Sequence, residues 1–319
     1  MKLLYLECNM GAAGDMLMGA LVDLLPDREE FAARMNALGL PGVHVELRNA
    51  LKCGIVGTHA EVTVSGTEEE SLEVPMQGHA HNHDHEHTHS HEHEHPHTHA
   101  HEHEHAGEQH EAMHDHREAY AHDHAEIHGH NHGNVHEHPH THPHTHVHRG
   151  MAEIEAMIER LEVSEKVKED VKNIYRIIAE AEASVHGTSV SDIHFHEVGT
   201  ADALADITGC ALLMEELGVE KVVTSPINVG YGQVRCAHGI LPVPAPAAAR
   251  ILEGVPCYAG NVEGELCTPT GAAVLKYYTD EFRRLPQMVI RKTGYGMGKK
   301  DFPAANCGRA VLGEQYKKT

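Results

Sequence analysis

The sequence predicts an α+β fold with a mixed or antiparallel sheet and packed helices, interrupted by a disordered histidine-rich insert. Three observations predict it. Residues 43–51 and 56–64 alternate as an antiparallel strand pair, helical periods dominate residues 151–185, and 29 of the 35 histidines fall between His79 and His148. The 319-residue chain therefore divides into an N-terminal lobe (1–78), a histidine-rich insert (79–148) and a second lobe (149–319).

Taken in order, Lys2 to Glu7 is an apolar run suited to a buried first strand. Gly11 to Gly14 then form a small-residue turn into a helix from about Asp15 to Leu25, and a second helix covers Arg28 to Leu38. Two helices are predicted at Met151 to Leu161 and Ser164 to Val185. Ser164 is a candidate cap, and Val167, Val171, Ile174 and Ile178 share a face of the second helix. A helix from about Thr200 to Leu217, strands near Val222 to Ser225 and Ile227 to Val229, and a proline-rich turn into a further helix follow. The last predicted elements are a helix starting at Thr268 or Pro269 and a strand from Met288 running into a glycine-rich loop with Gly294, Gly296, Gly298, Lys299 and Lys300.

The formal net charge is −23, and the insert carries 13 Asp and Glu against Arg117 alone. Neither the insert nor the rest presents a polybasic surface, which argues against duplex nucleic acid or an anionic membrane as partner. Seven scattered cysteines without a CxxC pair favour free thiols and a cytoplasmic location. Glu7 and Asp15 interrupt the apolar opening, so no signal peptide or membrane span is expected.

Several residue groups point to chemistry. The insert, beginning His79, His81, His83, His85, His87 and His89, presents imidazole nitrogens at near-regular spacing of two. Such donors suit nickel, zinc, copper or cobalt, and do not suit magnesium or calcium. With almost no apolar side chains, the insert cannot offset the entropy cost of folding. A solubilising linker or passive metal store is the plainer alternative to any catalytic role.

His194, His196, Glu197, Asp202 and Asp206 gather two nitrogen donors and three carboxylates within thirteen residues, enough for a metal site with open positions. In an extended segment the two imidazoles face one way, and Asp202 and Asp206 share a helix face. A helix capped by Thr200 with a favourable first-turn Asp202 explains the same residues without a metal. Asp15, after Gly11 and Gly14 at a helix start, suits a divalent ion on a bound anion, although a tight structural turn accounts for it nearly as well. Thr268 and Thr270 stand where anion binding is physically easy, with simple capping as the blander explanation. His238 is a candidate ligand or general acid/base, and Lys299 could cover phosphates. No histidine beside Cys8 or Cys267 gives an activated nucleophile.

The blocks "GAAGDMLMGALVDL", "DIHFHEVGTADALADITG", "SPINVGYGQV", "AHGILPVPAPAAARIL", "GELCTPTGAAVL" and "TGYGMGKKDFP", in this order, resemble the LarC-type nickel-insertion proteins of nickel-pincer cofactor synthesis. The resemblance implies CTP-dependent cyclometallation of pyridinium-3,5-bisthiocarboxylic acid mononucleotide, with CTP converted to CMP and pyrophosphate. It further implies Ni²⁺ as the inserted metal, Mg²⁺ or Mn²⁺ with CTP, an apo lactate racemase-type enzyme as product acceptor and room for homo-oligomerisation. Asp15, His194, His196, Glu197, Asp202, Asp206, His238, Thr268 and Thr270 are the residues it carries over. Two departures stand out. The turn reads GAAGDM where the family usually has GISGDM, and family members continue into a C-terminal domain implicated in CTP binding, so a separate C-terminal polypeptide is an expected partner. A nickel store without catalysis and a metal-dependent phosphohydrolase are the competing readings.

Overall fold

Strands contributed from both sides of the histidine-rich insert build one sheet. The computed structural model describes residues 1–67, 149–195, 199–236 and 239–316. The insert histidines from His79 to His148, with His196, Glu197 and His238, lie outside the described residues.

The first segment runs β1 (Lys2–Glu7), α1 (Gly14–Val22), α2 (Arg28–Asn36), β2 (Val43–Lys52) and β3 (Ile55–Val64). After the insert come β4 (Arg149–Gly150), α3 (Met151–Glu159), α4 (Glu165–His186), β5 (His194–Phe195), α5 (Ala201–Leu217), β6 (Lys221–Thr224) and β7 (Ile227–Asn228). Short pieces follow: β8 (Gly230–Tyr231), β9 (Gln233–Cys236), β10 (Gly239–Pro242), α6 (Pro246–Ile251), β11 (Cys257–Tyr258) and β12 (Gly264–Glu265). The chain closes with α7 (Pro269–Tyr278), β13 (Glu281–Phe282), β14 (Met288–Met297) and β15 (Cys307–Gln315).

The main sheet has seven strands in the order β13-β6-β1-β15-β14-β3-β2. β1 pairs parallel with β6 and antiparallel with β15, and β14 pairs antiparallel with β15 and parallel with β3. The sheet is therefore mixed, and the fold is α+β as the sequence predicts. β2 and β3 pair antiparallel from Val43↔Val64 to Lys52↔Ile55. The continuous apolar run of β1 has a direct cause: Leu4 and Leu6 belong to the main core, while Leu3 and Tyr5 pack with Val223 and Val311 in a second cluster. A strand buried on both faces has no polar alternation.

Local signals set the helix ends. Asp27 caps α2 by accepting from the Glu29 and Glu30 amides at 3.0 and 3.2 Å, and Ser164 caps α4 by accepting from Val167 N at 3.1 Å. α1 ends at Val22, earlier than Leu25, because the Asp23 carboxylate turns to the sheet, accepting from Thr58 Oγ1 at 3.2 Å and Tyr295 N at 3.1 Å.

The glycine-rich segment differs from the sequence reading. Gly294 and Gly296 belong to β14, and only Gly298 and the residues after it leave the strand. α1 lies almost flush on this strand: a Cβ at Gly296 would stand 1.8 Å from Met16 O and 2.4 Å from Ala20 N. These glycines make room for a helix, which removes the phosphate-loop reading for that part of the motif. β15, which the sequence reading lacks, supplies the strand between β1 and β14.

Candidate functional site

The candidate site sits beyond the carboxyl end of β1, where an open sheet with parallel neighbours commonly receives ligands. After Glu7 the chain turns sharply. Gly11 adopts φ +80° and donates from its amide to Cys8 O at 3.1 Å, and a Cβ there would stand 1.9 Å from Leu266 O. Only glycine fits, since the turn needs both the left-handed backbone and the close approach. Ala12 then pairs with Cys267, with Ala12 N donating to Leu266 O at 2.9 Å and Thr268 N to Ala12 O at 3.0 Å. The starts of α1 and α7 are thereby stitched together.

Gly14 opens α1 against α5. A Cβ at Gly14 would meet Asp206 Oδ2 at 2.5 Å and Asp206 Cβ at 2.7 Å, so the missing side chain lets the Asp206 carboxylate reach the first turn of α1. The Asp15 N–H donates to that carboxylate. Asp15 itself is 8% exposed, and its Oδ1 accepts from Met16 N at 2.8 Å. Burial, followed by the charges of Asp15 and Asp202, pushes the Asp206 acid well above the usual carboxylate range, while Lys299 and the Asp15 N–H pull it back. Asp202 Oδ1 and Asp206 Oδ1 are buried without a hydrogen-bond partner.

Asp15 and Asp202 thus act on Asp206 through their charges, with Lys299 opposing them, an arrangement that favours a protonated acid over bare charge. Asp202 and Asp206 lie one turn apart on α5, as their spacing predicts, and the packing of α5 on α1 brings Asp15 to them. His194 is exposed at the start of β5, where it pairs with Gly150. Among the described residues no group of three His, Cys, Asp or Glu side chains is arranged to hold a metal ion. The remaining predicted donors, His196, Glu197 and His238, lie outside the described residues.

The two threonines serve the fold. Thr268 caps α7, its Oγ1 accepting from Gly271 N at 3.2 Å and lying 3.0 Å from Thr270 Oγ1. Thr200 occupies the N-cap position of α5 without a side-chain cap hydrogen bond. The thiols around the site are proton-bound: burial, with Glu7 adding to it, pushes Cys8 up to about 12, and burial likewise raises Cys210 and Cys267. That leaves no thiolate nucleophile among them at neutral pH.

Sequence reasoning missed Tyr175. It is 0% exposed on α4, its hydroxyl has no hydrogen-bond partner, and the Asp202 and Asp206 charges reinforce burial in holding its pKa well above the usual phenol range. Its position one residue after Ile174 and four after Val171 reads simply as core. A surface cavity of about 370 Å³ lined by Met1, Lys2, Arg291, Leu312, Gly313 and Glu314 lies at the other end of β1 and contributes nothing to this site.

No helix among the described residues is long and apolar enough to cross a membrane. A family model described as nickel insertion protein matches residues 4–319. Three similar proteins carry the name pyridinium-3,5-bisthiocarboxylic acid mononucleotide nickel insertion protein. That of Geobacillus kaustophilus is 33% identical over 320 residues, covering 100% of this chain and 61% of the relative. That of Desulfitobacterium hafniense is 35% identical over 314 residues, covering 98% and 59%, and that of Clostridium acetobutylicum 38% over 316 residues, covering 99% and 64%. The chain thus spans about three-fifths of the length of these relatives. No solved structure matches it. A match running from the first strand to the last residue, joined by relatives above 30% identity, places this chain in the nickel insertion protein family.

Proposed function

We propose that this chain takes part in nickel insertion into pyridinium-3,5-bisthiocarboxylic acid mononucleotide, the precursor of a nickel-pincer cofactor, as a nickel-inserting enzyme or its metal-handling part. The observation that carries the proposal is the pair of buried, unpartnered carboxylate oxygens on Asp202 and Asp206 beside Asp15, in a chain of this family. Buried oxygens of this kind are costly unless a cation or a donor meets them.

Forming a bond between nickel and a ring carbon releases the ring proton, so the reaction needs a metal holder and a proton acceptor. In this reading the insert, from His79 and His81 through His89 onward, gathers nickel. His194 and His196, with Glu197 or Asp202, hold it for the two thiocarboxyl sulfurs of the precursor. Asp206 takes the proton: a carboxylate whose proton affinity is raised by burial and neighbouring charge is a stronger base than one in water. Asp15 would hold Mg²⁺ or Mn²⁺ carrying CTP, ions that prefer all-oxygen donors. Lys299 would neutralise phosphate charge beside it, with the backbone turn at Gly11 and Gly14 and the α7 start at Thr268 and Thr270 shaping the nucleotide side. His238 remains a candidate acid or base. A C-terminal part such as the relatives' greater length allows would complete CTP binding, an apo lactate racemase-type enzyme would accept the product, and the free thiols suit the cytoplasm.

The test is reconstitution with nickel, CTP and the precursor, with and without a separately supplied C-terminal part from a relative, reading product mass. A product heavier by nickel less its displaced protons supports the proposal, and its absence under both conditions sinks it. A nickel store rests on the insert alone. Deleting residues 79–148 separates the two, since a store loses all function while an inserting enzyme stays active in plentiful nickel.

A further inference from the structure

The loop between β14 and β15 carries Lys299 to the candidate site, and the tip of the β2 and β3 hairpin holds it there. β14 runs along α1 towards the start of that helix: a Cβ at Gly294 would stand 2.2 Å from Ala20 O, and one at Gly296 1.8 Å from Met16 O. Gly296 pairs with Gly308, where β15 begins its own path past Met16 O, so residues 298–306 emerge at the start of α1, beside Asp15. The charge of Lys299 reaches the Asp206 carboxylate from this loop. Within the loop Gly298 N donates to Asn306 O at 3.0 Å, and Asn306 Nδ2 donates to Lys300 O at 2.9 Å.

The outer support comes from residues far away in sequence. Lys52 ends β2 opposite Ile55, and Cys53 and Gly54 between them take φ +48° and +80°, the left-handed pair that a two-residue hairpin turn needs. A lysine at such a tip ordinarily carries its ammonium into water. Here the side chain is only 15% exposed, while Leu51 and Val56 beside it are 64% and 61% exposed. Lys52 Nζ donates to Lys299 O at 3.2 Å, to Lys300 O at 3.3 Å and to the Asp301 carboxylate, so its three donors meet three consecutive residues. Cys53 Sγ adds a contact to Pro303 O at 3.7 Å. We propose that Lys52 is a positioning residue of the candidate site: by fixing the backbone from Lys299 to Asp301, it holds the Lys299 ammonium at the start of α1 to meet a substrate phosphate. The inference rests on the nickel-insertion reading for the phosphate compound, which is either CTP or the precursor mononucleotide.

Two measurements on the full chain test it. Hydrogen exchange read by peptide mass should be faster over 298–306 in Lys52→Met, with the rest of the described chain unchanged. In calorimetric titrations with CTP and Mg²⁺ and, separately, with the precursor, Lys299→Met should weaken at least one arm about 10- to 100-fold, the worth of a hydrogen bond to a charged group. The arm that responds identifies the phosphate source. Lys52→Met should weaken the same arm about 3- to 10-fold, and adding it to Lys299→Met should weaken binding no further, since the two act as one unit. A general loss of stability would not produce that coupling. Unchanged exchange over the loop overturns the proposal, and so does an additive effect of the two substitutions, which leaves the functional reading intact. Binding in neither arm by the unaltered chain overturns it together with the nucleotide side of that reading. Coupled binding with no product in the presence of nickel sinks nickel insertion and leaves the role of Lys52 standing.

Discussion

Replacing Asp206 with asparagine should make the protein more stable and less useful. In the folded state the Asp206 carboxyl is buried beside Asp15 and Asp202, which raises its pKa well above its unfolded value. An acid with a raised folded pKa contributes no penalty below its unfolded pKa of about 3.9, and destabilises increasingly as pH climbs from there to the folded value. Asparagine keeps the shape and an oxygen to accept the Asp15 N–H. Its amide group can donate to Asp202 Oδ1, one of the two stranded oxygens. Satisfying a buried polar atom is worth about 1–3 kcal/mol. For a domain of this size that is a gain in melting temperature of roughly 2–12 °C. Thermal unfolding of the unaltered chain and Asp206→Asn at pH 7.5 and pH 4 should show the gain at the higher pH and its near disappearance at the lower. A lower melting temperature for Asp206→Asn at pH 7.5, or an equal gain at both pH values, would refute the reasoning.

Three other expectations follow from the same geometry. Gly296→Ala places a methyl group against the backbone of α1 at Met16 and Ala20, which no rotamer can relieve, and should cost about 3 kcal/mol or more in denaturant unfolding; a loss under 1 kcal/mol would contradict the flush packing. Asp170 is 6% exposed and accepts from Tyr277 Oη at 2.9 Å, Tyr278 Oη at 3.0 Å and Lys166 Nζ at 2.7 Å, so Asp170→Ala strands two phenols between α4 and α7. Its urea midpoint should fall by the equivalent of roughly 2–4 kcal/mol, and an unchanged midpoint would mean that the network contributes little. Alkylation of the native chain at pH 8, read by peptide mass, should label the exposed Cys53 and Cys257 well before the buried Cys8, Cys210 and Cys267, and equal rates would count against the described burial.

How far the sequence could be read depended on whether the determining interaction was local. α4 was legible because Ser164 and a 3.6-residue apolar period act within the segment itself, while its end at His186 is set by Gly187 in the left-handed region. The β2 and β3 hairpin was legible through its alternation. β15 was not, because "CGRAVLGEQ" mixes glycine and charge, and its place is set by β1 and β14 on either side. Gly294 and Gly296 look like a loop in sequence because nothing nearby announces that α1 will lie on them. At the site, Asp202 and Asp206 could be paired from their spacing of four. Their meeting with Asp15 depends on Gly14 admitting Asp206 to the first turn of α1, a contact across 192 positions of sequence. Tyr175 was hidden because a buried tyrosine on an apolar helix face has the same spacing whether its hydroxyl is idle or used.

The arrangement also explains how three carboxylates can be buried together at all. Each stands in the first part of its helix, Asp15 and Asp202 within the first turn and Asp206 against the start of α1, where amide dipoles point their positive ends outward. The Asp15 N–H and Lys299 offset part of the repulsion, though not enough to bring Asp206 back to an ordinary acidity. What remains uncompensated is localised on two oxygens, Asp202 Oδ1 and Asp206 Oδ1. Two other acids among the described residues are met differently: Asp170 has two phenols and a lysine, and Asp23 has a threonine and a backbone amide. Acids satisfied in that way hold the fold together, whereas the unmet oxygens of Asp202 and Asp206 cost it stability until a donor or a proton reaches them.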